Sequence, residues 1–325
     1  MANFKWLTLC HILLFCLIGL IGCQKEKEPE LLSSTAKNYL NEVINQMKTY
    51  SINRKTIDWT GFKAKVEAQA QGAQTIADTY PAIQLALTLL SDNHSLYLTS
   101  AGTAIYGGRT VACTDATPTI GTIDKRIGYV KITGFNGSGS EAVKFAQSIQ
   151  DAIKAADSDS LKGWIVDLRG NLGGNMWPMV AGAGPLLGEG ICGYFQDPDG
   201  NVSTWSYQQG SSLINQTVAT KVESVYTTRK SNLKIAVLTD KATASSGEAV
   251  AIAFKGRLNT RSFGRATCGL STANGSLKLS DGATLILTQS TMADRNKKAY
   301  GAPIQVDEVV PVETVTVKAV TWLLQ

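Results

Sequence analysis

Apolar residues recur at helical spacing across residues 33–48, where Ala36, Leu40, Val43, Ile44 and Met47 follow a serine able to cap the first turn. Two further stretches with this period, at 60–71 and 73–90, predict a small helical unit at the N-terminal end. From Ile127 the pattern changes to short apolar runs alternating with helical ones: IGYVKIT, EAVKFAQSIQDAIKAA, GWIVDLR, then a glycine-rich turn and MWPMVAGAGPLL. Such alternation is the signature of βαβ units, with parallel strands covered by helices. GICGYF, VSTWSYQ and LKIAVLTD are predicted as strands, and a helix runs from Ser246 into Lys255. LKLSDGATLILTQST reads as two strands around an Asp-Gly turn, and VTVKAVTWLLQ as a strand followed by a short helix. The pattern divides the chain into a helical N-terminal domain (33–100), a linker (101–126) and an α/β core (127–325).

Ahead of these elements lies an apolar run from Trp6 to Gly22, preceded by the cation Lys5. It falls short of the about 20 residues that span a bilayer comfortably, so residues 1–22 read as a secretory signal peptide rather than an uncleaved anchor. The segment ends in Leu20-Ile21-Gly22-Cys23, which resembles the bacterial lipobox. That resemblance implies cleavage before Cys23, a lipid on its thiol and an attachment to the cell envelope, facing either the periplasm or the exterior. Residues 23–32 then form a polar tether.

The 325 residues are 44% hydrophobic and 18% charged, enough for a sizeable core and incompatible with a disordered chain. The 31 Lys and Arg and 26 Asp and Glu are scattered, with no basic run interleaved with aromatics, which excludes a nucleic-acid partner. Of two histidines, His11 lies in the signal segment, leaving His94. A metal centre built on imidazole normally needs two or three, and no CxxC pair substitutes, so no metal or cofactor is implied. With Cys10 and Cys16 in the signal and Cys23 lipidated, Cys113, Cys192 and Cys268 remain, allowing at most one disulfide. A thiol nucleophile served by His94 is one reading of these residues, but none has a nucleophile's context, and a small buried hydrophobe is preferred.

Four segments could carry chemistry. Ser91-Asp92-Asn93-His94-Ser95 ends the third helical stretch, as a polar terminus near the helix dipole or as the source of a base. Asp167-Leu168-Arg169-Gly170-Asn171-Leu172-Gly173-Gly174 follows a strand, and its glycines let the backbone turn N–H groups outward. Such a turn also serves any sharp strand-to-helix connection, but without GxGxxG or a Walker lysine it is a poor nucleotide site. Thr243-Ala244-Ser245-Ser246-Gly247-Glu248 opens a helix, with Ser245 and Glu248 spaced as a capping box or Ser245 placed as a nucleophile. Gly264-Arg265-Ala266-Thr267-Cys268-Gly269 is a glycine-bounded loop.

In this order the four segments resemble the DxHS-like, DLRxNxGG, SxxE and GxxTxG elements of the tail-specific protease family of serine peptidases. The resemblance covers about Leu90 to Val310. It implies a twisted sheet core with helices, related to the crotonase and Clp-protease fold, preceded by a helical unit. It also implies Ser245 as nucleophile and Glu248 as a supporting residue. Where one branch of the family carries a lysine base, this chain has Leu270. The other branch, similar to the tricorn core protease, uses a histidine from the earlier helical unit, the place of His94, together with an acidic residue from the C-terminal portion. Asp294 is the nearest carboxylate upstream of the matching place, and reads equally as an exposed turn residue. An oxyanion hole from the backbone of Gly173 and Ser246, with Gly174 in support, completes the expected site. Only 32 residues, Ser95 to Arg126, separate His94 from the first core strand, too few for the PDZ domain common in the family. The expected protein is a lipid-anchored serine endopeptidase acting on peptides or unfolded protein segments. A catalytically inactive ligand- or peptide-binding protein on the same fold is the alternative, and an acyl-CoA enzyme is disfavoured because CoA is intracellular.

Overall fold

The computed structural model describes residues 31–116 and 120–325. The signal segment, Cys23 and most of the tether lie outside the described residues. The N-terminal unit holds α1 (Ser34–Tyr50), α2 (Trp59–Gln69), a 3-10 turn at Ala77–Thr79 and α3 (Tyr80–Leu89). Ser33 caps α1 by accepting from Ala36 N, and Asp58 caps α2 by accepting from Thr60 N. The short strands β1 (Leu96–Leu98) and β2 (Ala104–Tyr106) follow, so a strand stands inside the stretch read as a linker.

The rest of the chain alternates as its pattern predicts: β3 (Ile127–Lys131), α4 (Gly139–Ala156), β4 (Gly163–Asp167) and α5 (Met176–Leu187). Four antiparallel strands come next: β5 (Gly190–Gln196), β6 (Val202–Gln208), β7 (Ser211–Ile214) and β8 (Thr217–Lys221). Then come β9 (Lys234–Thr239), α6 (Ser246–Phe254), β10 (Thr260–Gly264), β11 (Thr272–Lys278), β12 (Thr284–Asp294), β13 (Glu308–Val309) and α7 (Val315–Leu324). The C-terminal segment is helical throughout, not strand then helix. Val315, Ala319 and Leu323 recur every four residues and are buried on one face, which outweighs the β-branched composition.

A parallel sheet ordered β13-β10-β9-β4-β3 forms one layer, and an antiparallel sheet ordered β2-β1-β12-β5-β6-β7-β8, with β11 added on β12, forms another. Both faces of the parallel sheet are covered, as parallel sheets require. On one side Trp164 and Val166 of β4 pack with Ile149, Met179, Val180 and Phe254 from α4, α5 and α6; on the other, Ile165 packs with residues of α7. The helical unit has no core to itself: Leu40, Met47 and Ile83 pack with Leu285 and Leu287 of β12. This long-range packing brings the end of α3, and with it His94, to the antiparallel sheet.

Candidate active site

The turns after β4, β9 and β10 hold three of the four segments, and these strands are neighbours in the parallel sheet. Distant stretches of sequence therefore meet at one sheet edge, where α/β folds gather functional groups. The turn after β4 is held by the fully buried Asp167–Arg169 pair at 2.7 Å, with Tyr129 donating to Asp167. It is laced to the turn after β9 by Gly170 N to Asp240, Thr243 Oγ1 to Leu168 O and Ala244 N to Asn171 O.

Ser245 stands at the end of the second turn with φ 52° and ψ −116°, a left-handed backbone that a non-glycine residue adopts only under constraint. The constraint is Glu248, whose Oε2 accepts from Ser245 N at 2.9 Å while Oε1 accepts from Thr267 Oγ1 and Gly269 N. Burial pushes the Glu248 carboxyl above its ordinary pKa, opposed by the hydrogen bonds it accepts from Thr267 and Gly269. The capping geometry and a half-buried Ser245 hydroxyl that opens on the cleft therefore coexist.

His94 arrives from the other layer. Ser91 and Asn93 have positive φ, and Asp92 accepts from His94 N, Ser95 N and Ser95 Oγ, folding the segment into a tight turn. His94 Nε2 lies 3.0 Å from Ser245 Oγ, and His94 Nδ1 lies 2.8 Å from Thr272 Oγ1. Asn274 adds a bond from its Nδ2 to His94 O. His94 is 8% exposed, and burial pushes its pKa down to about 4, with Asp92 pulling upward and Arg109 pushing further down.

Asp294 does not join this arrangement. Its carboxylate accepts from Tyr300 Oη, Asn296 N and Lys298 N, closing the turn after β12. Thr272 pairs with Thr291 across the ladder, so Asp294 lies three residues beyond it, about 10 Å along the strand. The group beside the histidine is instead a neutral hydroxyl, Thr272. Its one sequence signal is its place two residues after Leu270, where the family's lysine would stand.

One of the two backbone N–H groups expected to face the cleft is already taken. Gly173 N already donates to Asn171 Oδ1 at 2.9 Å, whereas Gly174 N and Ser246 N have no partner among the described residues and border the cleft. Gly173 serves by absence of a side chain: at φ +100° a Cβ there would sit 2.8 Å from Ser245 Cβ. The cleft, about 530 Å³, is lined by no acidic or basic side chain other than His94 among the described residues; Met176, Trp177, Phe195, Ile214, Ile286 and Met292 give it apolar walls, interleaved with polar side chains such as Asn175, Asn274 and Gln289.

Cys113 and Cys268 form a disulfide that fastens the segment after β2 to the loop holding Thr267 and Gly269. Cys192 is buried, with its thiol pushed up to about 11 by burial, so it is a packing residue and no nucleophile.

Residues 126–310 match peptidase family S41. The nisin-resistance protein of Lactococcus lactis subsp. lactis is 27% identical over 297 residues, covering 90% of this chain and 88% of that protein. A carboxy-terminal processing protease of Bacillus subtilis (strain 168) is 31% identical over 165 residues, covering 51% of this chain and 30% of that protein. A lipoprotein from Streptococcus agalactiae shares the fold with a TM-score of 0.71 at 22% identity, covering 91% of this chain and 99% of that one. The photosystem II D1 C-terminal processing protease does so with a TM-score of 0.61 at 15% identity, covering 87% and 95%. The matched region exceeds half of the chain and includes the turns of Asp167, Ser245 and Thr267, so the chain belongs to peptidase family S41.

Proposed function

We propose that the protein is a serine endopeptidase, lipid-anchored through Cys23 outside the cytoplasm, that hydrolyses peptides or unfolded protein segments with Ser245 as nucleophile and His94 as base. The observation carrying this reading is the 3.0 Å approach of His94 Nε2 to Ser245 Oγ beside two N–H groups, Gly174 N and Ser246 N, that have no partner among the described residues. With Nδ1–H donated to Thr272, the Nε2 lone pair is free to accept the Ser245 proton. As Oγ bonds to the peptide carbonyl carbon, the proton passes to Nε2, and the carbonyl oxygen takes the π pair and is held by Gly174 N–H and Ser246 N–H. Collapse breaks the C–N bond, His94 gives the proton to the leaving amine, and water then hydrolyses the acyl-enzyme with His94 again as base. Glu248 acts at one remove, by fixing the Ser245 backbone. A cleft of mixed apolar and uncharged polar lining favours substrate segments without charged side chains.

A fluorophosphonate probe tests the reading: labelling of the folded protein is expected, lost in Ser245→Ala and weakened in His94→Ala. A protein that binds peptides without labelling or turnover would instead be the inactive binding form of this fold. Metabolic incorporation of palmitate, lost in Cys23→Ala, tests the anchor. A part in nisin resistance is a second reading, favoured by the Lactococcus relative that aligns along 90% of the chain. The nisin tolerance of cells expressing the chain or its Ser245→Ala form tests it.

A further inference from the structure

At the far end of α6 from Ser245 lies a second cavity, of about 400 Å³, which shares no lining residue with the catalytic cleft. The nine residues of α6 set its end about 13 Å from the nucleophile turn. Val237, Ala251, Phe254 and Ile304 make its floor apolar, while Lys255, Arg257 and Arg261 stand around it together with one carboxylate, Asp307, which is occupied by Ser262 and Lys255.

The charges there do not balance. Lys255 Nζ reaches Asp307 at 3.3 Å, and Arg261 reaches Glu308 at 3.5 Å, with Lys318 also on Glu308 at 3.1 Å. Arg257 has no carboxylate within ion-pair reach among the described residues, and donates only to the neutral oxygens of Ser231, Leu258 and Thr260. Beside it, against Gly256, stands Arg295, which also lacks a carboxylate partner among the described residues and whose Nε is buried without a hydrogen bond. Burial and the neighbouring Arg295 charge both push Arg257 below the usual guanidinium pKa. Two half-buried guanidinium groups with no carboxylate partner among the described residues repel one another; Arg257 lines the cavity, and an anion held there relieves that cost.

We propose that this cavity binds an organic anion, a carboxylate carried on a short apolar stem, with Arg257 as its charge partner. The floor takes the stem, and the cationic rim excludes the matching neutral molecule. Such a carboxylate belongs either to a free fatty acid or to the C-terminus of a peptide ending in an apolar residue.

Isothermal titration of the purified protein with octanoate and with N-acetyl-leucine, each against its amide, tests the proposal. At least one acid is expected to bind below about 1 mM, and about tenfold more tightly than its amide. Octanoate alone assigns the free acid, and N-acetyl-leucine the peptide end. Arg257→Met removes the charge and Val306→Phe fills the space without touching a charge; each is expected to weaken binding by about tenfold with thermal unfolding still cooperative. Should Arg257→Met not fold, Val306→Phe carries the test alone. Binding in Ser245→Ala is expected to match the parent protein. No binding of either acid, equal binding of the amides, unchanged binding in Val306→Phe or loss of binding in Ser245→Ala overturns the proposal.

Discussion

The proposed nucleophile and the proposed base come from regions built in different ways. Ser245 sits where β9 meets α6, and the hydrogen bonds that fix it come from the turns after neighbouring strands: Glu248 within the same turn, Asn171 after β4, Thr267 and Gly269 after β10. His94 sits on a turn closed by Asp92, but its ring is aimed by a hydroxyl 178 residues later in the chain, and the strand carrying that hydroxyl is packed near the N-terminal helices. One half is held by a dense backbone lattice and buried charges; the other by Asp92 at its backbone and a single neutral hydroxyl at its buried ring. On the proposed reading, the base is kept neutral by its burial rather than held by a carboxylate, and a change on one half measures how far the other depends on it.

The largest effect is expected from removing either reacting group. Ser245→Ala or His94→Ala lowers kcat for a peptide substrate by about 10⁴ or more, and the double variant costs little beyond either single one, because the two groups act as a unit. Steady-state turnover of a fluorogenic peptide measures this. Additive losses would break the pairing of the two regions.

Next comes a change confined to the nucleophile side. A Cβ at Gly173 would meet Ser245 Cβ at 2.8 Å and Ser246 N at 2.9 Å on a backbone with φ +100°, so Gly173→Ala must shift the serine or its turn. A loss of about a hundredfold to a thousandfold in kcat is expected, with the histidine side undisturbed. Retention of activity in Gly173→Ala would remove the close approach on which the assigned oxyanion donors depend.

The same contrast explains what the sequence makes legible. The strand-turn-helix order, the glycines of Asp167 to Gly174 and the spacing of Ser245 to Glu248 are local features, and each takes its expected place because turn chemistry acts over a few residues. The aim of His94 is not local. Asp294 is the natural choice from chain order, yet the β11–β12 register carries it past the site and puts Thr272 there. Likewise the choice between Gly173 and Gly174 turns on which N–H Asn171 captures, a fact of side-chain geometry. The strands β2, β7 and β8 escape notice because runs of three to five residues are too short to show a period and form strands only by pairing with neighbours.

Substitutions at the base's partner separate these possibilities. Thr272→Val keeps shape and removes the hydroxyl; kcat is expected to fall about tenfold to a hundredfold with KM little changed, and Thr272→Ser to recover most of the loss. Asp294→Asn keeps an acceptor for the 294–298 turn, and its kcat/KM is expected within about twofold of the parent, with thermal unfolding lowered by a few degrees at most. A large loss in Asp294→Asn with none in Thr272→Val would reinstate the carboxylate and overturn the neutral-partner reading.

The smallest effect is the most discriminating, because it is a near absence of change. A histidine with the unperturbed pKa of about 6.5 would be only about 3% neutral at pH 5, whereas one near 4 stays about 90% neutral. The kcat/KM profile is therefore expected to stay flat within about twofold from pH 7 to pH 5 and to fall toward pH 4. The same shift links to stability. Because the folded-state pKa lies below the unfolded one, the unfolded chain binds the extra proton between pH 6.5 and 4. The contribution of neutral His94 is thus complete above about pH 6.5 and is lost as the pH falls toward 4. His94→Gln removes that titrating group, so the melting temperature of this variant should depend less steeply on pH across that window than the parent's. An activity limb at pH 6 to 7, with equal slopes of melting temperature against pH, would mean that the histidine side is well hydrated, and the contrast between the two halves would vanish.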